Sequence, residues 1–167
     1  GMVGTFLGGF LSDRLSKRSG DARWQMWVPG IATLAVIPVQ LLAYLGAGMP
    51  MTVAFLGSSL LSLVFFGPAF STVQSLARPQ MRAVAASLLL FSMSLIGMAL
   101  GPLLIGLSSD LLAPRVGVDS LRVSLLLVPA FNLWSGVHFF LAAAHLRTDL
   151  RRAAAYSPSG EMGVASS

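Results

Sequence analysis

The stretch Gly8-Gly9-Phe10-Leu11-Ser12-Asp13-Arg14-Leu15-Ser16-Lys17-Arg18 sets one carboxylate and three cations between two strongly apolar segments. Each Asp, Lys or Arg near the centre of a bilayer costs about 2.5–3.5 kcal/mol on insertion scales. If the flanking segments cross a membrane, this stretch lies at its surface and is expected to form a short loop there.

Composition supports the membrane setting. The chain is 55% hydrophobic and only 10% charged, with a mean hydropathy of +0.79, against about 25% charged in soluble domains. Its apolar runs approach the roughly 20 residues that a membrane helix needs, so an all-α integral membrane protein is expected. Cys is absent, which excludes disulfides, thiol nucleophiles and Cys-ligated metals. The net charge of +5 belongs to Lys and Arg outside the apolar runs, and no basic patch is interleaved with aromatics on a soluble module. Nucleic acid is therefore not an expected partner. His138 and His145 lie seven apart with no carboxylate between them, which fits packing or helix-end roles rather than a metal site. No His-Glu-x-x-His, no paired carboxylates and no Ser with a plausible base are present, so no catalytic residue, metal or cofactor is assigned.

Taken in order, 1–11 is too short to span and reads as the end of a truncated membrane helix whose beginning is missing. The surface loop follows over 12–26, with Ser19-Gly20-Asp21 as its turn and Arg23 and Trp24 at the interface. Four complete spans are expected at about 27–47, 51–74, 83–108 and 121–146. The first carries Pro38 as a bend and Gln40 facing a protein neighbour; the second carries Gly67-Pro68, a packing kink or a hinge. A basic loop, Arg78-Pro79-Gln80-Met81-Arg82, leads into the third, whose Ser87, Ser94, Gly97, Gly101 and Ser108 share a narrow arc of an α-helical wheel, with Pro102 beside them. Small residues on one face let a neighbouring backbone approach closely. That helix is expected to end at Ser109-Asp110, where Gly106-Leu107-Ser108-Ser109-Asp110 echoes Gly9-Phe10-Leu11-Ser12-Asp13. Two similar ends three spans apart are what a structural repeat would leave. The last span carries Pro129, Asn132, Ser135 and His138 as its marks, and 147–167, polar and aperiodic, reads as a disordered tail.

Charge sets the expected orientation. Arg14, Lys17, Arg18, Arg23, Arg78, Arg82, Arg147, Arg151 and Arg152 fall on one side of the membrane and only Arg115 and Arg122 on the other. The first side is expected to be cytoplasmic, with the C-terminus there too, and the membrane to be a bacterial inner (plasma) membrane.

At Gly9, Leu11, Ser12, Asp13, Arg14, Lys17 and Arg18 the sequence resembles the signature loop of the major facilitator superfamily, Gly-x-Leu-Ser/Ala-Asp-Arg-x-Gly-Arg-Lys/Arg, with Ser16 where the family has Gly. The family carries this loop after its second and eighth membrane helices, and the four apolar segments that come after it here fit the later copy. Gly67-Pro68, Arg78-Pro79-x-Met81-Arg82-Ala83 and Gly97-x-x-x-Gly101-Pro102-Leu103-x-x-Gly106 look most like the Spinster-like branch. The resemblance implies part of the C-terminal half-bundle of a secondary transporter, working by alternating access on a small organic or lipid-like solute. It implies that Asp13 latches the cytoplasmic side against the opposite half, with Arg14 pairing locally, and that the partner half is missing from this chain.

From the residues themselves, a helix with Gly97, Gly101 and Pro102 suits rocking, and Ser71, Gln74, Ser87 and Ser94 are the candidate polar residues of a substrate cavity. No Asp, Glu, Lys or Arg lies in the middle of a complete span, where ion coupling normally needs one. Two alternatives stand beside transport: a non-transporting membrane scaffold or accessory subunit, and an intramembrane enzyme.

Overall fold

The computed structural model describes residues 2–155. Helices make up its elements, and no strand occurs among the described residues. In chain order they are α1 Met2–Ser19, α2 Trp24–Leu45, α3 Gly48–Leu61, α4 Phe66–Leu76, α5 Arg82–Ser92, a π-helical segment Met93–Leu100, α6 Gly101–Val116, α7 Ser120–Leu125 and α8 Leu127–Ala155. The runs Trp24–Leu45 and Gly48–Leu76 are each long and apolar enough to cross a membrane. So is the run from Pro79 on, which turns at Gly117, where φ is +65°.

The charged stretch is helical. Expected as part of a loop over 12–26, it continues α1 to Ser19, and only 20–23 separates α1 from α2. Nothing from Ser12 to Ser19 breaks a helix, and Lys17 and Arg18 lie in the last turn, where cations suit the helix dipole. The bilayer expels charge, but it does not unwind the backbone that carries it. The helix stops at Gly20, whose φ of +65° is open to glycine and costly for other residues.

Proline places the other breaks. Pro68 has no N–H for the carbonyl of Val64, and its ring would collide with that carbonyl in a straight helix. The chain opens at 62–65 into tighter bonds, Leu63 N–H to Leu60 O at 3.3 Å and Val64 N–H to Leu61 O at 3.2 Å, and α4 starts anew. Pro129 acts in the same way at the junction of α7 and α8, where Leu126 N–H bonds Val123 O at 3.1 Å. Before Pro102 the helix widens instead: the Gly101 N–H reaches back five residues to Ile96 O, a π turn that relieves the same conflict.

Three further boundaries differ from the sequence expectation. The third span does not end at Ser109-Asp110; α6 continues to Val116, so both Gly-x-x-Ser-Asp stretches lie inside helices rather than at their ends. The α-helical wheel that gathered Ser87, Ser94, Gly97, Gly101 and Ser108 does not hold across Met93–Leu100, because a π turn takes more residues and rotates the helix beyond it. Residues 147–155, expected as disordered tail, extend α8, as a segment rich in Arg and Ala can. The rest of that tail lies outside the described residues.

The packed part of the molecule is α1 to α4 with α8. Met26, Ala143 and Leu146 are buried together where α2 meets α8, with Trp27, Phe139 and Leu150 against them. The run 82–116 has no fully buried residue and lies to the side, joined through α4 and through the turn into α7.

Candidate functional site

The kink at 62–65 is the seat of α1. A Cβ on Gly8 would strike the backbone of Val64, one on Gly4 would strike that of Leu60, and one on Gly67 would stand 3.0 Å from both Gly9 N and Thr5 O. The Thr5 hydroxyl donates to Leu63 O at 3.4 Å. Proline opens the α3–α4 backbone, and the glycine face of α1 packs directly on the opened turn. Gly9 of the signature stretch and Gly67-Pro68, far apart in sequence, are thereby in one contact, with Pro68 buried.

The opposite face of α1 is uncovered. Phe10, Asp13, Arg14, Lys17 and Arg18 line a concavity of about 460 Å³. Asp13 makes no hydrogen bond or ion pair among the described residues. Arg14, the next residue, points about 100° away from Asp13 around the helix. Arg14 instead lies over the Phe10 ring, 5.9 Å from its centre. Asp13 also stands well before the helix end at Ser19, so the terminal dipole acts on it little.

Three polar contacts that residue spacing did not reveal tie the helices together. The Arg147 guanidinium pairs with Asp21 at 2.7 Å, binding the end of α8 to the turn between α1 and α2. Asp21 also accepts the Arg23 N–H at 3.0 Å. That bond holds its carboxyl below the ordinary carboxylate value; desolvation opposes it, and the Arg147 guanidinium adds to the lowering. Thr72 donates to Gln25 at 3.1 Å, and Asn132 of α8 donates to the buried Gln40 of α2 at 2.7 Å. Gln40 does face a protein neighbour, and Asn132 is that neighbour. His138 and His145 each bond a carbonyl of their own helix, Trp134 O and Leu141 O.

A larger apolar groove of about 820 Å³ runs between the π segment with α6 and the start of α8. Gly97, Gly101 and Pro102 line it, and Asn132 is a polar residue in its wall. None of Ser71, Gln74, Ser87 and Ser94 does. Gln74, Ser87 and Ser94 are exposed, Ser71 is half-buried, and the Ser87 hydroxyl is spent on Ala83 O at 2.9 Å. No group of three potential metal ligands occurs among the described residues.

A bundle of apolar, membrane-length helices with this charged, glycine-seated helix is that of an integral membrane protein. No protein-family model matches the sequence. The chain is 34% identical over 152 residues to an MFS-type efflux pump of Mycolicibacterium smegmatis, covering 90% of this chain and 35% of that protein. It is 29% identical over 169 residues to protein spinster homolog 3 of Danio rerio, covering 96% of this chain and 34% of that one. The chain thus spans about a third of the length of the curated relatives it matches. The similarity to a protein named as MFS-type supports a fragment of a major facilitator superfamily protein.

Proposed function

We propose that this chain is the C-terminal part of a secondary active transporter that moves a small organic or lipid-like solute by alternating access. The similarity to a protein named an efflux pump supports transport as the activity. The observation that carries the mechanism is the seat of α1: it locks Gly9 on Gly67 and leaves Asp13 on the outer face without a partner among the described residues. A carboxylate held rigidly and left unpaired is suited to latch an opposing half-bundle, which is the partner this reading requires. The basic helix ends lie in the cytoplasm of a bacterial inner membrane, with Arg14, Lys17 and Arg18 as the charges that hold them there. Gly97, Gly101 and Pro102, at the wide π turn between α5 and α6, supply the bend that rocking needs, and Ser71, Gln74, Ser87 and Ser94 face the opposing half.

The test is Asp13→Asn in the full-length transporter, which keeps shape and removes charge. A latch of this kind couples linked states by about 1–3 kcal/mol, so flux should fall at least several-fold while folded yield and substrate binding persist. Near-normal flux would sink the latch. No flux of any solute by the unaltered full-length protein would instead favour the scaffold reading, and a chemically changed product would favour an enzyme.

A further inference from the structure

The π segment Met93–Leu100 is entered in ordinary helical geometry: Met93 has φ −63° and ψ −41°, and its N–H reaches Leu89 O four residues back. At its far end the Gly101 N–H reaches five back, to Ile96 O. Proline alone does not require this widening. Pro38 lies inside α2 and Pro114 inside α6, both in uninterrupted α-helix, so an α turn before Pro102 is open to this chain as well. Two features of the segment fit that α form. Ser87, Ser94, Gly97, Gly101 and Ser108 share a narrow arc on an α-helical wheel and lose it across the π turn. Ser87, Ser92 and Ser108 each donate a hydroxyl to the carbonyl four residues back, of Ala83, Leu88 and Leu104. Ser94, inside the π segment, makes no such bond among the described residues. An α turn would bring Leu90 O within its reach by the same geometry. Gly97 and Gly101 lie where the backbone must change, and glycine changes most freely.

We propose that Met93–Leu100 interconverts between the π form and an α form, and so turns α5 about its own axis relative to α6. Each residue taken into or released from the wide turn rotates one half against the other by about 100°. In the α form the Ser94 hydroxyl closes on Leu90 O, and Ser87 joins Gly101 and Ser108 on one face. In the π form Pro102 is freed from the carbonyl of Met98. The two forms set a serine bond and a shared small face against a proline conflict, all within one helix. In the transporter proposed above, on which this last step rests, the turn would present Ser87 to the opposing half in one state and withdraw it in the other.

The test measures distances in lipid bilayers on the full-length protein, its only cysteines those introduced. One spin label is placed at Ser59→Cys in α3 and a second at either Leu88→Cys or Leu90→Cys, which lie on nearly opposite faces of α5. A side chain at the surface of a helix about 10–12 Å across moves about 8 Å in such a rotation, so each pair should give two distances. Pro102→Ala should raise the α population about tenfold or more over the π population, shifting the Leu88 and Leu90 distances in opposite senses. Deletion of Ile96, which removes the extra residue, should leave one distance in each pair. A single distance in the protein without further changes would overturn the proposal. So would a shift of both labels in the same sense with Pro102→Ala, which is a tilt, or two distances surviving the deletion. If Pro102→Ala does not fold, the protein without it and the deletion decide the matter. Solute flux is read separately: flux with a single distance sinks only the π-to-α change, and no flux with two distances sinks only the transport reading.

Discussion

Asp21 and Arg147, 126 positions apart, meet at 2.7 Å and close the packed helices into one body at their charged end. The turn at 20–23 is itself shaped by Asp21, whose N–H bonds Ser19 Oγ at 3.3 Å and whose carboxylate accepts the Arg23 N–H. One side chain therefore organises a turn and anchors the last helix. Asp21→Asn should lower the thermal midpoint, and Arg147→Gln should cost less in that background than alone, because the partner has already gone.

The same carboxylate sets a pH dependence. Its folded pKa lies below the ordinary 3.8, so the carboxylate is bound more tightly when folded. Stability from this source is present above the unfolded value and is lost as pH falls through the folded one. The difference in thermal midpoint between the native chain and Asp21→Asn should be the same at about pH 7 and about pH 5, and should close below about pH 4. A difference that already shrinks near neutrality would assign the effect to another group.

The Gln40–Asn132 bond joins α2 to α8 within the apolar bundle. Side-chain hydrogen bonds between membrane helices average about 0.6 kcal/mol in double-mutant cycles, with a maximum near 1.7. Gln40→Leu and Asn132→Leu should each destabilise, and the cycle should return a coupling within that range. Purely additive losses in reversible unfolding would show that the bond contributes nothing once both partners are free to find others.

Two glycine positions should behave oppositely. Gly8→Val drives a side chain into the Val64 backbone at the kink, and overpacking of that kind costs about 1–3 kcal/mol or more. Gly97 has open space where its Cβ would be, so Gly97→Ala should be neutral to mildly stabilising in folded yield. Equal losses at both sites would mean that protein beyond the described residues covers the face of the π segment.

Sidedness can be read by labelling single cysteines in the Cys-free chain. Ser19→Cys, at the basic end, should react only from the cytoplasmic side, and Met49→Cys, 78% exposed at the opposite end, only from outside. Labelling of Ser19→Cys by an impermeant reagent in intact cells would reverse the orientation.

Much of this molecule derives from local chemistry. Long apolar runs oblige the chain to be helical, since a bilayer offers no other partner for the backbone. Pro68, Pro102 and Pro129 mark where those helices open, although Pro38 and Pro114 are carried inside α2 and α6, and the charges between Asp13 and Arg18 mark where the bilayer must end. Local chemistry could not say how each opening is resolved. A broken turn at 62–65 and a wide π turn at Met93–Leu100 answer the same proline conflict, and the choice tracks packing: α1 lies on the first, while the second has none of its residues fully buried. Nor could spacing pair Asp21 with Arg147 or Gln40 with Asn132, or set Gly8 on Val64. Those contacts join residues distant in the chain, and only the arrangement of the helices against one another brings them within reach.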